Sequence, residues 1–263
     1  MREHRRVAPL SKAPPPPRGR FLRGYQLRTL LDLLDGIERH RGATFTVLFP
    51  RQAGKNEVAA ALVDALLRSH AGQGGSIVVC APAYRPQARI SVERAAQLLA
   101  STDRVSPGAG HARLAGNTIE VGRARVTFLS AAPGAHVSGH TASLALIADE
   151  AQEIDAAWFD RQFRPMAATT GAPTVLFGTP WDGRTLLDEA VAANRERDRR
   201  GGDVHLHHQV GWTEVAASLP AYGDLCAART AAAGVRPPPL PDAVRADRDG
   251  RVRAAPEAPA SWR

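Results

Sequence analysis

Only two of the 263 residues are cysteine, Cys80 and Cys226, and neither has the spacing of a metal ligand. Cysteine usage therefore points to a reducing, cytoplasmic setting. No apolar run is long enough to span a bilayer, and the N-terminus carries Arg- and Pro-rich sequence where a secretory leader would need an apolar stretch. No internal repeat is apparent, which sets aside solenoids and propellers. The length suits one α/β domain with tails better than two full domains.

Positive charge is abundant, yet the centre of the chain has almost none in excess. The formal net charge is +8, of which residues 1–28 contribute +7 and residues 220–263 contribute +2. The span 29–219 is thus close to neutral. An arm this basic suits phosphate binding through counterion release, and on composition alone it equally suits a solvated, disordered leader. Pro14 to Pro17 exclude a helix or a central strand there, so residues 1–21 read as an extended arm.

Strands and helices alternate through the middle of the chain. Tyr25, Leu27, Leu30, Leu31, Leu34 and Ile37 recur at helical spacing. Strands are expected over 44–49, 76–81, 126–129, 144–148 and 174–177, with a hairpin about Gly116-Asn117. Helices are expected after residue 55, over about 86–100, as one element over about 155–168, and over 184–198. Residues 131–143 read as a mobile loop and 204–210 as an edge strand. This order indicates a layered α/β fold with a largely parallel sheet. Residues 216–263, rich in Ala, Arg and Pro, are expected to be a disordered tail.

Four segments carry chemistry. The apolar run 44–49 stops at Pro50, and Gly54-Lys55 then opens a helix. That order places backbone N–H groups and a helix N-terminus around an anion, with a Lys to neutralise terminal phosphates. The usual pattern has Gly five residues before the second Gly and Ser or Thr after the Lys, where this chain has Phe49 and Asn56. The second segment, Leu144 to Glu150, is an apolar strand ending in Asp149-Glu150. One carboxylate can hold a Mg²⁺ shell and the next can polarise an attacking water. The third, Leu176 to Pro180, ends a strand at Thr179, a hydroxyl able to sense a γ-phosphate. The fourth is Tyr25-Gln26, where a Gln amide could read the adenine edge and a Tyr could stack. Three of the four lie at carboxyl ends of strands, where ligands of open α/β sheets gather.

Taken singly, each has a plainer reading. Asp149 and Gln152 approximate a capping box, Gly178-Thr179-Pro180 is a turn, and Gly54-Lys55 is an ordinary helix start. Trp158, Phe159 and Phe163 read as core. His205, His207 and His208 read as a partly exposed polar strand face, since no carboxylate or Cys partner matches their spacing for a metal. His136 and His140 fall in the loop 131–143, a segment suited to facing DNA or a neighbouring subunit.

Together, Arg51 to Glu57, Ala81 to Gln87, Gly139 to Ala142, Ile147 to Gln152 and Phe177 to Pro180 resemble the large terminase subunit of tailed bacteriophages, over about residues 22–215. The resemblance implies a P-loop NTPase fold of the ASCE/RecA-like kind, a three-layer sandwich, in an ATP-hydrolysing motor that packages double-stranded DNA. It implies ATP and Mg²⁺ as cofactors, with Arg51, Gln52, Ala53, Gly54, Lys55 and Asn56 as the phosphate grip. It also implies Asp149 on the metal, Glu150 as catalytic carboxylate, and Thr179 in a motif coupling hydrolysis to movement. The implied partners are a portal protein, a small terminase subunit and further copies in a ring, with no membrane involved.

Two departures stand out. An amide oxygen at Asn56 is a hard neutral donor, longer and less acidic than a hydroxyl, so nucleotide binding with weakened metal dependence is expected. The chain also ends 84 residues after Thr179. The family's C-terminal RNase H-like nuclease would not fit there, and Asp242, Asp247 and Asp249 read as solvated acids. A truncated or frameshifted terminase gene is the expectation. A helicase-like ATPase fragment and a non-enzymatic nucleotide-binding remnant are the rival readings.

Overall fold

In the computed structural model, residues 22–105, 111–180, 184–201 and 203–232 are described. The Pro-rich arm at 1–21 and the acids Asp242, Asp247 and Asp249 lie outside them. Eight strands form one sheet in the order β3-β4-β5-β2-β6-β7-β1-β8. They are β1 (Thr44–Leu48), β2 (Gly75–Ala81), β3 (Ala112–Ala115), β4 (Thr118–Val121), β5 (Ala124–Ser130), β6 (Ala145–Ala148), β7 (Thr174–Gly178) and β8 (His207–Gln209). Every pairing from β5 to β8 is parallel, and the β3–β4 hairpin adds an antiparallel edge.

Period-two patterning assigns the two faces. Phe45, Val47, Ile77, Val79, Ile147, Val175 and Phe177 join one core with apolar residues of α1 (Gly24–Arg39), α2 (Lys55–Ser69) and α3 (Arg89–Val105). The intervening residues Leu48, Val78, Cys80, Leu146, Ala148 and Leu176 join the other. That second core is closed by α4 (Ala156–Gln162), α5 (Arg164–Ala168) and α6 (Leu186–Arg199). Both faces are covered, as a parallel sheet requires. The result is the expected three-layer sandwich. Strand β7 is inserted between the strand that leads into Gly54-Lys55 and the strand that ends at Asp149-Glu150.

Three expectations need correction. The helix expected over 155–168 is two helices that meet at Phe163, with Pro165 in the first turn of α5. Proline lacks the N–H that would continue the ladder and fits only a new first turn. Phe159 and Phe163 are fully buried and stacked at 5.7 Å between ring centroids, whereas Trp158 is only partly buried. Residues 216–232 do not begin a tail: α7 (Trp212–Ser218) and α8 (Pro220–Ala232) occupy them. Third, His207 and His208 are buried, at 7% and 6% exposure. Strand β8 has α6 on one side and the Phe45 ring on the other, which buries these two rings while His205 and Gln209 stay exposed.

Candidate active site

Strand register brings the chemical segments to one edge. Leu48 pairs with Gly178 and Ala148 with Leu176, so the residues after β1, β6 and β7 emerge side by side. The Phe49 N–H donates to the Gly178 carbonyl at 3.1 Å, and the Asp149 N–H to that of Cys80 at 2.8 Å. An open cavity of about 590 Å³ lies over this edge, lined among others by Arg51, Lys55, Asn56, Arg94, Glu150 and Thr179. Its size is that of a small-molecule site.

The loop from Pro50 to Gly54 is held in an unusual shape. Gln52 and Gly54 have φ of 62° and 83°. A side chain at position 54 would be strained at that angle, and its Cβ would fall 2.1 Å from Gln26 Nε2. Glycine is therefore required here for two independent reasons. The N-terminus of α2 follows at once, where first-turn N–H groups lack intrahelical acceptors and can face an anion. Gln52 and Arg51 are exposed at the cavity, and Ala53 is buried beneath it.

Tyr25 and Gln26 approach this loop from behind. The Tyr25 hydroxyl donates to the Ala53 carbonyl at 2.9 Å. Gln26 Nε2 donates to the Ala53 and Gly54 carbonyls, both at 3.2 Å, and its Oε1 accepts the Arg23 N–H at 2.8 Å. Both residues are almost fully buried. Burial, opposed by Arg23, raises the Tyr25 hydroxyl above its usual range, so it stays a donor. The amide expected at an adenine edge is instead committed to loop carbonyls, and Tyr25 tilts against Phe49 at 6.0 Å.

Lys55 is 6% exposed and forms ion pairs with Asp149 and, at 3.1 Å, with Glu150. Asp149 Oδ1 also accepts the Glu150 N–H at 3.0 Å, and Asp149 Oδ2 accepts the Ser91 hydroxyl at 3.0 Å. Asp149 caps no helix. The short turn at Ala151–Glu153 begins at Glu150, which has φ 52° and ψ 45°. A β-unbranched residue in the left-handed region costs on the order of 1 kcal/mol, strain of the kind that gathers at functional sites. Cys80, directly beneath, is held well above the usual thiol range by burial and then by Asp149, so it remains a thiol.

Several further contributors have no role assigned from the sequence. Gln152 Nε2 donates to Glu150 Oε2 at 2.7 Å, and Gln152 Oε1 accepts the Thr179 N–H at 3.3 Å. One amide thus links the two strand ends. A Cβ on Gly178 would fall 2.4 Å from that same Oε1, so the glycine keeps the link in place. From α3, Arg94 pairs with Glu57 at the start of α2. From α8, the Tyr222 hydroxyl donates to the Arg51 carbonyl at 3.0 Å. Burial, then Cys226, pushes that hydroxyl up to about 12, which keeps it protonated. Helical spacing of Ser91 and Arg94 is the only sequence signal for the α3 pair.

Among the described residues no group of three or more His, Cys, Asp and Glu side chains is placed to hold a metal ion. In the His205, His207 and His208 set, His205 pairs with Asp198 at 3.0 Å, and His207 Nδ1 meets Thr46 Oγ1 at 2.9 Å. A Mg²⁺ site needs no such cluster, since that ion is commonly held by one or two carboxylates with phosphate and water oxygens. The buried Asp149 carboxylate, already matched to a cation, and the Asn56 side chain at the edge of the large cavity are oxygen donors that fit it.

No protein-family model matches the sequence, and no curated protein matches it significantly. Solved structures do. The HK97 bacteriophage large terminase aligns at TM-score 0.64 and 17% identity over 82% of this chain and 47% of its own. The Thermus phage P74-26 large terminase ATPase domain aligns at 0.59 and 19%, over 81% and 89%. The large terminase of a further, thermophilic bacteriophage, in complex with ADP, aligns at 0.52 and 12%, over 78% and 49%. The fold is that of a phage large-terminase ATPase domain. The chain spans nearly all of the isolated P74-26 domain but about half of the HK97 protein and of the ADP-bound terminase. Among the described residues no helix is long and apolar enough to cross a membrane.

Proposed function

We propose that this chain is an ATP-hydrolysing motor domain of the phage DNA-packaging type. The observation that carries the reading is the Lys55–Asp149–Glu150 cluster beneath the α2 N-terminus, at the mouth of a cavity large enough for a nucleotide. The terminase ATPase fold and the ADP bound to the thermophilic phage's terminase support it.

In this reading Lys55 exchanges its carboxylate partners for the β- and γ-phosphates, and the α2 N-terminus and Arg51 hold the remaining phosphate charge. Asp149 and Asn56 would hold Mg²⁺, which supplies charge neutralisation on the phosphate oxygens when bound. Glu150, freed from Lys55, orients water towards the γ-phosphate as its carboxylate accepts a hydrogen bond. Gln152 reports the position of Glu150 to the Thr179 backbone, and so to the strand end assigned to coupling. Tyr25 and Gln26 keep the loop carbonyls turned away from the phosphates. Double-stranded DNA is the proposed track, and a portal protein, a small subunit and a ring of copies in the host cytoplasm are the proposed setting. The basic residues 1–28 suit contact with the DNA backbone.

ATP turnover of the purified chain, with and without duplex DNA, tests the proposal against Lys55→Ala. DNA-stimulated hydrolysis that Lys55→Ala abolishes is the expected result. Equal turnover in both proteins would overturn the assignment.

A further inference from the structure

Position 56 follows the loop lysine, where a hydroxyl ordinarily serves the metal alongside the strand-end Asp. This chain has Asn56, and among the described residues no hydrogen bond joins it to Asp149. A hydroxyl nevertheless reaches that carboxylate from another element. Ser91, in the first turn of α3, donates to Asp149 Oδ2 at 3.0 Å. Its alternative acceptor, the Gln87 carbonyl, is 3.4 Å away. A charge-assisted bond is roughly twice as strong as a neutral one, so the carboxylate is the preferred acceptor. Asp149 is 3% exposed, and losing this donor would leave one of its oxygens short of a partner.

Asn56, Ser91 and Asp149 also line one small cavity of about 20 Å³, closed by Ala59, Ala95 and Phe128. That space admits one water at most. Ser91 thus reaches the Asp149 carboxylate from α3, while Asn56 of the neighbouring helix α2 borders the same small space.

We infer that Ser91 is the positioning residue for the metal-binding carboxylate, supplying from α3 the hydroxyl that α2 lacks at Asn56. It acts through Asp149, holding Oδ2 so that the carboxylate keeps one orientation when Lys55 turns to phosphate. The inference rests on the phosphate-site reading above. Partners of this kind typically set metal affinity by roughly 10- to 100-fold.

The test is Mn²⁺ affinity of the full chain by electron paramagnetic resonance with a non-hydrolysable ATP analogue, beside analogue affinity in chelator. Ser91→Ala should weaken Mn²⁺ about tenfold and leave metal-free analogue affinity unchanged. Ser91→Thr should keep wild-type Mn²⁺ affinity. Adding Asn56→Ser to Ser91→Ala should restore it, and by more than Asn56→Ser alone raises it in the otherwise unaltered chain, a rescue that a merely structural role for Ser91 would not produce. Unchanged Mn²⁺ affinity in Ser91→Ala with the analogue still bound would overturn the Ser91 role alone, as would failure of the rescue in a folded double variant. Failure of the unaltered chain to bind the analogue would overturn the phosphate site and the Ser91 role with it.

Discussion

Two polar clusters adjoin strand β1, one beyond its carboxyl end and one beside its middle, and they are built to different rules. Beyond its carboxyl end, Lys55, Asp149 and Glu150 form a charged group beside an open cavity. Further back along the strand, Thr46, Asn194 and His207 form a neutral group packed between β1, β8 and α6. Asn194 Nδ2 lies within 3.0 Å of the Thr44 carbonyl and 3.1 Å of both Thr46 Oγ1 and the Leu206 carbonyl. The neutral group satisfies itself and fastens a three-residue edge strand to the sheet. The charged group balances the buried Asp149 and the half-buried Glu150 with a lysine, which in the proposed function an incoming phosphate reclaims. Burying charge is costly unless it is paired, so in the proposed function the exchangeable lysine makes the first cluster a site, while the neutral second cluster is a fastening.

The largest effect that separates them is on chemistry. Glu150→Gln should lower ATP turnover about 10³-fold, on the order of 4 kcal/mol in barrier, while equilibrium binding of ATP persists. Turnover within about tenfold of the unaltered chain would show that Glu150 is not the water-orienting group.

The next effect should appear in stability and only at the β8 end. Burial, then His205, pushes His208 down to about 4. Its folded value lies below its unfolded value, so its contribution is complete above about pH 6.5 and declines as pH falls towards about 4. Over that window unfolded chains take up a proton that the folded state refuses. The loss approaches roughly 3 kcal/mol, and His208→Gln should flatten that part of a denaturant-midpoint profile against pH. An unchanged slope would place the acid sensitivity elsewhere.

Asn194→Ala should cost about 2 kcal/mol by removing the buried hydrogen bonds from its amide to Thr44, Thr46 and Leu206, with nucleotide affinity unaltered. A parallel fall in affinity would mean that the two clusters are coupled through β1. The smallest effect expected is from Tyr222→Phe, which removes one hydrogen bond to the Arg51 carbonyl. It should cost about 1 kcal/mol or less and shift nucleotide affinity by a fewfold, measured by fluorescent-nucleotide titration. No shift in affinity would reduce α8 to a passive cover.

Much of this is legible along the chain. Phe45 and Val47 alternate with Thr46 and Leu48, and that pattern alone assigns the two faces of β1. Gly54-Lys55 and Asp149-Glu150 each sit where an apolar strand stops, which is enough to expect them at one sheet edge. The double role of Gly54 is half visible: a left-handed turn can be expected of a glycine, but the Gln26 amide against its Cβ position cannot. Pro165 announces the break at Phe163, a signal that reading one helix over 155–168 passes over. The histidines defy the sequence because a short polar strand looks solvated until its neighbours are known. The helices at 212–232 escape it because an Ala-rich sequence with few anchors shows little periodicity.

The sequence by itself determined the local events: which residues form strands, where the loop turns, and which charged groups stand at strand ends. These depend on backbone sterics and short-range spacing. Only the tertiary structure decided which groups serve those charges. Ser91 meets Asp149 across 58 residues, and Tyr222 meets Arg51 across 171. Nothing in the spacing encodes such pairs, because they depend on how α3 and α8 pack against the sheet, and packing is a property of surfaces brought together only by the fold.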